Sequence, residues 1–423
     1  MSKTTNTDHS ERAAAATAQQ PAKLKRTLTL PLLVFYGVGV TIGAGIFALI
    51  GEILAVSGDQ APLAFLVAGL IAGVTGLSYM QLVKRFPRAG GEAVYVTNAL
   101  GGRLGRVAGF GVVVTGTISS AVVSLAFGGY VGSLTGLPTI IGALIIICVV
   151  ALVASFGVRE SVLLAAGVTL IEVGTLVVVA IFGLPKLVDA PVLTTVFTAG
   201  NEGFASPILA GAVVAFFAFI GFEDIANMAE ETVDPKRTAP RAIAWTLGIS
   251  IVVYVLLACI AIVLPERADI VASDAPMATL FEAVSGRGAD MVATVASLAM
   301  TNGILVQIVM ASRVLYGMAG EGLLAAPLVP LGKVHPTRQT PVRATVVVCG
   351  AVAVLVCLVP LGQLARITSL VTLGVFSLVN LALFVIGRRD RSGLGAWTYV
   401  ALFGMIITLA LAIWELRSMI GLG

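Results

Sequence analysis

The feature that most restricts the fold of this chain is a series of long apolar blocks, each about 20 residues in length. A helix of about 20 apolar residues crosses roughly 30 Å of hydrocarbon. The blocks are almost uninterrupted by charge, which excludes the alternating pattern of membrane β-strands. Charged residues make up only 11% of the 423 residues, against about a quarter in soluble domains. The sequence therefore predicts an all-α polytopic membrane protein.

Eleven such spans follow one another, and the loops between them alternate in charge. We predict spans over residues 33–56, 62–83, 106–134, 138–156, 160–184, 206–229, 241–264, 291–318, 341–360, 364–387 and 396–420. Lysine and arginine are concentrated in the first residues and in the 84–106, 230–241 and 319–343 loops, whereas the intervening loops are acidic. Since basic loops face the cytoplasm, we expect a multi-pass protein of the cell membrane with its N-terminus inside and its C-terminus outside.

The chain divides into four predicted segments. Residues 1–28 are polar, end in a basic cluster and lack the apolar core of a signal peptide, so we expect a disordered cytoplasmic tail. Residues 29–190 and 200–390 each hold five spans, and residues 391–423 hold one additional transmembrane helix. The four cysteines lie in apolar spans without paired spacing, and only two histidines are present. We expect no metal site, no cofactor and no nucleic-acid partner.

Two of the spans carry features that would interrupt a helix. The first contains a glycine-rich run, Gly37–Phe47, and the sixth contains an aromatic run that ends in two acids, Phe216–Asp224. Backbone N–H and C=O groups exposed by a break must line a cavity or bind a ligand, and they attract a carboxylate and an ammonium respectively. Each run opens a set of five spans, an odd number, so the second set runs inverted. Such paired breaks are typical of secondary transporters with a site at mid-membrane.

The glycines of the first span also allow a different interpretation. Gly39 and Gly43 form a small-xxx-small pattern, which lets membrane helices pack closely. On the glycines alone, packing explains the run at least as well as ligand binding does. The matching run in the sixth span is the reason to favour binding.

Four segments, in this order, resemble the amino acid–polyamine–organocation (APC) superfamily, and in particular its amino acid permeases. They are Gly39–Phe47, the loop Arg85–Val96, the run Phe216–Asp224 with the following loop to Arg241, and Arg313–Tyr316 with Glu321–Leu324. The likeness extends from about residue 30 to residue 387. It implies the leucine-transporter-type fold, a 5+5 inverted repeat in which helices 1 and 6 are broken. It also implies alternating access by symport or exchange.

The resemblance assigns a substrate site to the two broken helices. The backbone around Ile42, Gly43, Ala44 and Gly45 would hold the substrate carboxylate. Thr41 and the carbonyls near Phe217, Ala218 and Ile220 would hold the amine. Phe217 also falls where the family places an aromatic gate over the substrate.

Two acidic residues inside spans are candidates for coupling transport to an ion. Ionisable groups in spans are costly and usually face a cavity or a partner, and a carboxyl in a low-dielectric cavity can carry a proton. Glu223 is the first candidate, although it could instead be solvated or paired with an arginine. Glu172 is the second, at a position where many proton-coupled relatives have lysine. It could carry a proton, bind a cation or form a salt bridge, so sodium is not excluded. Gln81, where relatives often have glutamate, is a further departure.

The leading hypothesis from the sequence is a proton-coupled amino acid transporter, with a small amine-bearing solute and the lipid bilayer as its partners. A polyamine or cationic amino acid transporter or exchanger is the alternative, and a solute sensor that does not transport is another. We expect no enzyme, because the spans hold no metal-binding cluster and no serine–histidine pair. The oligomeric state is open. Weaker candidates for the pathway are polar residues in spans 3 and 8: Thr115, Thr117, Ser119, Ser120, Asn302 and Gln307.

Overall fold

A computed structural model describes the chain over most of its length. The described residues are 26–88, 90–156, 162–188, 190, 192, 196, 205–320, 326–333, 335, 340–389 and 395–421. Residues 1–25 of the predicted tail, and the side chain of Ala44, lie outside them.

The described residues form fifteen α-helices, which we number in chain order. They are α1 (Leu30–Ser57), α2 (Ala61–Arg85), α3 (Gly91–Leu100), α4 (Gly102–Thr135), α5 (Thr139–Phe156), α6 (Val162–Val188), α7 (Ala205–Phe217), α8 (Asp224–Asn227), α9 (Pro235–Val263), α10 (Arg267–Ala272), α11 (Pro276–Ser285), α12 (Asp290–Gly320), α13 (Val342–Leu358), α14 (Leu361–Arg389) and α15 (Ala396–Met419).

Over the described residues, ten of the eleven predicted spans coincide with one helix each, and the span 206–229 contains α7 and α8. Eight helical segments are long and apolar enough to cross a membrane, the first of which, Leu30–Arg85, contains both α1 and α2, and α7 and α13 are shorter apolar helices. The prediction of an all-α polytopic membrane protein is confirmed. Three helices lie in predicted loops: α3, α10 and α11. In α11 the apolar residues Met277, Leu280, Phe281 and Val284 recur at helical spacing and are buried, so this loop segment docks as an amphipathic helix.

The helices pack around α1, which contacts α6, α7, α9 and α12. On either side of it, α2 lies along α9 and α4 lies along α12. One face of α5 presents exposed apolar side chains such as Ile145 and Leu152. This arrangement places the glycine-rich first span at the centre of the bundle.

The last residues assigned to the tail are ordered. The N–H groups of Thr27 and Leu28 donate to the carbonyl of Glu231 at 2.9 and 3.1 Å, and the N–H of Val233 donates to the carbonyl of Leu28 at 2.9 Å. Leu28 is 3% exposed. The prediction of a disordered tail to residue 28 is therefore wrong at its end, because these residues find backbone partners in a distant loop.

The predicted break in the first span is wrong in this structure, because α1 is helical from Leu30 to Ser57 without interruption. Its glycines instead allow close contacts with neighbouring helices. A Cβ atom at Gly39 would collide with the side chain of Thr169, and one at Gly43 would lie 2.6 Å from Oε1 of Glu172. The alternative interpretation, in which Gly39 and Gly43 form a packing face, fits these contacts with α6.

A buried polar network joins α14 to α2. Ser78 Oγ donates to Asn380 Oδ1 at 2.6 Å, and Asn380 Nδ2 donates to Thr75 Oγ1 at 3.1 Å. Hydrogen bonds between membrane helices contribute roughly 1 kcal/mol each. We therefore expect Ser78→Ala to lower the free energy of unfolding by about 1 kcal/mol. Thermal unfolding in detergent measures this, with Ser133→Ala, an exposed serine bonded within α4, as the control. Equal midpoints for the two variants would contradict the prediction.

Candidate functional site

The sixth span is interrupted where the sequence predicts it. The helix α7 ends at Phe217, residues 218–223 form turns, and α8 begins at Asp224. Gly221 has φ 124°, in a region that favours glycine because a side chain would clash there. The N–H groups of Ala218, Phe219 and Ile220 bond three residues back, so the α-helical ladder stops before the bend.

The interrupted segment lies directly against the backbone of α1. A Cβ atom at Gly221 would lie 2.9 Å from Cγ1 of Val40 and 3.1 Å from the backbone nitrogen of Thr41. A Cβ atom at Gly45 would lie 2.6 Å from Cα of Ala218. One glycine on each side therefore permits a contact that reaches from Val40 to Gly45.

Tyr254 of α9 lies between these two segments. Its hydroxyl oxygen is 2.9 Å from the carbonyl oxygens of both Thr41 and Ala218. A hydroxyl has one proton to donate, so Tyr254 can bond one carbonyl or share its proton between them. The sequence analysis missed this residue, because a tyrosine in an apolar helix is not distinguishable from core.

The structure brings the predicted substrate-binding residues together, but mostly in packed surroundings. Thr41, Ile42, Gly43 and Gly45 of α1 are buried, as are Phe217 and Ala218. Thr41 Oγ1 is buried with no hydrogen-bond partner among the described residues. Of the predicted set, Ile220 lines a cavity.

That cavity, which we call the inner cavity, has a volume of about 40 Å³ and lies beside the bend. Its walls include Val40, Ile220, Gly221, Glu223, Ser119 and Gln307. A wider cavity of about 390 Å³, the outer cavity, adjoins it. The two share Glu92, Val112, Asp224, Asn227 and Met310. The bend is thus connected through these shared walls to the side of the bundle that carries α3 and Arg313.

Glu223 lies in the inner cavity, at the bend. Its Oε2 accepts the N–H of Gly221 at 2.8 Å, which satisfies a donor that the break has released. Among the described residues, no lysine or arginine forms an ion pair with it. The ion pair between Glu223 and an arginine, which the sequence left open, is therefore absent from the described part of the chain.

Glu172 is the second predicted acid, and it lies apart from the inner cavity. It is 2% exposed, its Oε1 has no hydrogen-bond partner among the described residues, and that atom faces Gly43 of α1. The salt bridge considered for Glu172 is absent from the part of the chain that the structure describes.

Glu92 is an acid that the sequence analysis did not select. It lies in the first turn of α3, after Gly90 and Gly91, which have φ 106° and 33°. It is 4% exposed, and its Oε1 accepts the hydroxyl of Tyr79 at 2.8 Å. Burial raises the pKa of Glu92, and the hydrogen bond from Tyr79 partly opposes that shift. In the sequence, Glu92 is only a glutamate in a basic loop, and such a side chain is usually solvated.

The weaker polar candidates divide into two groups. Thr115, Ser119 and Gln307 line the inner cavity, and Ser119 Oγ is buried without a partner among the described residues. Thr117 and Ser120 bond to carbonyls within α4. Asn302 is not among the residues that line either cavity.

A bundle of apolar helices in which one span is interrupted beside an acidic cavity is typical of membrane transport proteins. Residues 28–416 match the profile of the family described as amino acid permease. The chain therefore belongs to the amino acid permease family, which confirms the resemblance drawn from the four sequence motifs.

Individual relatives have names that agree with this membership. The chain is 28% identical to "Cationic amino acid transporter 3, mitochondrial" of Arabidopsis thaliana, with 88% of this chain and 64% of that protein covered. It is 32% identical to an uncharacterised transporter of Mycobacterium tuberculosis, with 92% and 86% covered. It is 28% identical to a branched-chain amino acid permease of Bacillus subtilis, with 89% and 84% covered.

The extent of these matches differs. The chain spans 60% to 64% of the length of three Arabidopsis cationic amino acid transporters that it matches. All of these names are those of transporters and permeases, in agreement with the expectation that the chain is not an enzyme.

The close contact between α1 and the bend provides a test of the site. Gly45→Ala would place a methyl group 2.6 Å from the backbone of Ala218, so one segment must move. We expect a loss of about 1–3 kcal/mol in unfolding free energy and slower substrate uptake. Gly73→Ala in α2, where a Cβ meets nothing within 4 Å, is the matched control. Uptake equal to that of the control would show that the contact is not needed.

Proposed function

We propose that this chain is a secondary active transporter that moves an amino acid across the cell membrane by alternating access, with the proton as its coupling ion. The observation that carries the proposal is the bend at residues 218–223, packed on α1 and open to a cavity that contains Glu223. Membership of the amino acid permease family supports the same conclusion.

In this proposal the substrate binds between α1 and the bend. Thr41, Ile42, Gly43, Ala44 and Gly45 provide one side of the site. Phe217, Ala218 and Ile220 provide the other. Because α1 is helical throughout, its N–H groups are occupied within the helix. We infer that this structure represents a state in which α1 has closed, and that a substrate carboxylate binds when the turn at Gly43 and Gly45 opens.

Alternating access is supported by cavities toward both ends of α1. The outer cavity includes Tyr36, near the start of the helix. A separate cavity of about 380 Å³ includes Gly51 and Glu52, near its end. The outer cavity lies on the side of the basic loops, which we assign to the cytoplasm. The cavity at Gly51 and Glu52 lies on the side of the acidic loops. With this assignment, we propose that the N-terminus is inside and that the protein lies in the cell membrane.

The 5+5 inverted repeat is part of the proposal. It would relate α1 to α7 with α8, α2 to α9, and α4 to α12. Each of these pairs is in contact across the centre of the bundle, which supports an axis between them. The helix α15 follows both repeats as the additional C-terminal span.

The substrate class has two candidates. Ala218 and Phe217 beside α1 favour a neutral side chain, as does the name of the branched-chain relative. Glu172, which is buried and forms no ion pair among the described residues, favours a cationic amino acid or polyamine, as do the names of the Arabidopsis relatives.

A thermal-shift screen of the purified protein against the twenty amino acids and common polyamines tests the proposal. A ligand at 100 times its Kd stabilises the folded state by about 2.7 kcal/mol. We expect one substrate class to raise the unfolding temperature and to exchange with labelled substrate in liposomes. Stabilisation without exchange would indicate the alternative of a solute sensor. Neither effect with any compound would refute the proposal.

A further inference from the structure

The inner and outer cavities meet at a buried carboxyl that the proposed substrate and coupling sites do not include. Glu92 lines both cavities, whereas Glu223 lines only the inner one. Glu92 is therefore a shared wall between the bend and the wider space beside α3 and α12.

The carboxyls of Glu92 and Glu223 line one small cavity, together with that of Asp224. Among the described residues, no lysine or arginine forms an ion pair with Glu92 or Glu223. The carboxylate of Glu92 accepts a hydrogen bond from the Tyr79 hydroxyl, and that of Glu223 accepts one from the N–H of Gly221. Two carboxylates that share a buried site are not both ionised readily, because like charges in low dielectric repel.

An aromatic cluster lies beside the inner cavity. The rings of Tyr79, Phe222 and Phe376 are mutually in edge contact, with centroids 5.5 to 5.6 Å apart. Phe376 of this cluster lines the cavity, and Tyr79 bonds the Glu92 carboxylate. A proton leaving Glu223 toward the outer cavity then has Glu92 at the boundary between the two spaces.

We propose that Glu92 is a second proton-carrying group, which takes the proton released by Glu223 and passes it to water in the outer cavity. The inference rests on the proposed proton-coupled function. In the transfer, the O–H bond of the Glu223 carboxyl breaks and an O–H bond forms on the Glu92 carboxylate, directly or through one water. Glu92 then gives the same proton to water, so charge and atoms balance at each step. The inner cavity is large enough to hold such a water.

Other titratable and charged groups surround the path. They are Tyr79 of α2, Tyr95 of α3, Glu223 and Asp224 at the bend, Tyr36 of α1, Glu231 after α8, Arg313 of α12, and Arg389 of α14, which bonds the carbonyl of Ala99. Arg313 and Glu231 lie on the wall of the outer cavity, beyond Glu92. Glu92 and Asp224 are the acids that line both cavities, and Glu92 is the one that lies on α3, outside the bend.

The test compares two transport assays on purified protein in liposomes. Glu92→Gln keeps the side-chain size and an oxygen for the Tyr79 hydroxyl, but it cannot carry a proton. We expect accumulation driven by a gradient of one pH unit to fall by about tenfold, which is the accumulation that such a gradient supports at 1:1 coupling. Counterflow exchange without a gradient should persist. Glu231→Gln, an acid that lines only the outer cavity, is the matched control and should keep both activities.

Two outcomes would overturn the inference. One is gradient-driven accumulation by Glu92→Gln at the level of the control. The other is a wild-type protein that exchanges substrate but never accumulates it with a proton gradient, which removes the coupling while leaving amino acid transport intact. A wild-type protein without exchange would instead refute the proposed function.

A second variant keeps the inference testable if Glu92→Gln does not fold. Tyr79→Phe removes the hydrogen bond that lowers the pKa of Glu92 and leaves the carboxyl in place. The midpoint of gradient-driven uptake against internal pH should move to a higher pH. An unchanged midpoint in a folded Tyr79→Phe protein would show that Glu92 does not carry the transported proton.

Discussion

Glu223→Gln should abolish proton-driven accumulation while substrate exchange continues. The carboxyl lies at the bend, in the inner cavity, and bonds the N–H of Gly221. A glutamine oxygen can keep that bond, but an amide cannot carry a proton. A gradient of two pH units represents about 2.7 kcal/mol and supports about 100-fold accumulation at 1:1 coupling. We expect the variant to accumulate its substrate no further than equilibrium.

Two measurements make this prediction specific. Labelled substrate accumulation under an imposed gradient should fall by about 100-fold, whereas counterflow at equal pH should remain. Glu282→Gln, an exposed acid in α11, is the control. If Glu223→Gln lost exchange and accumulation equally, the residue would be structural rather than coupled to the proton.

The second large effect concerns the last helix. Arg366 Nε of α14 donates to Glu415 Oε1 of α15 at 2.6 Å, and its guanidinium also bonds Ser418. The Glu415 side chain is fully buried, and its Oε2 has no hydrogen-bond partner among the described residues. Removal of one member of a buried pair leaves an uncompensated charge and costs about 3–5 kcal/mol. We expect Arg366→Met to destabilise the protein by that amount.

A double variant distinguishes the cost of the unpaired charge from loss of packing. Replacement of a buried ion pair by apolar residues of similar volume is often neutral or stabilising. We therefore expect Arg366→Met with Glu415→Met to recover most of the unfolding free energy, measured by denaturation in detergent micelles. A double variant as unstable as the single one would show that packing, not charge, holds α15 to α14.

The sequence predicted the parts of the fold that depend on composition along the chain. The spans follow from apolar length, and the break at Gly221 follows from an aromatic run ended by glycine and two acids. The continuity of α1 did not follow. Gly43 and Gly45 permit either unwinding or close packing, and the choice depends on Glu172 and Ala218, which are distant in sequence.

The candidate site was predictable to a similar degree. Glu223 could be selected because an acid inside a span is energetically costly and usually faces a cavity or a partner. Glu92 could not, since its burial depends on how α3 packs against α4, α14 and α8. Tyr254 was missed for the same reason: its two carbonyl partners belong to α1 and to the bend, which only the tertiary structure brings together.

The backbone pairing of Thr27 and Leu28 with residues 231–233 has a consequence for how the molecule moves. These hydrogen bonds join the segment before α1 to the loop after α8, at the same end of the bundle. We therefore expect the entrance of the first span and the exit of the sixth to move together. Widening of the outer cavity would then come from displacement of these two segments relative to α4 and α12, which also line that cavity, rather than from their separation from each other.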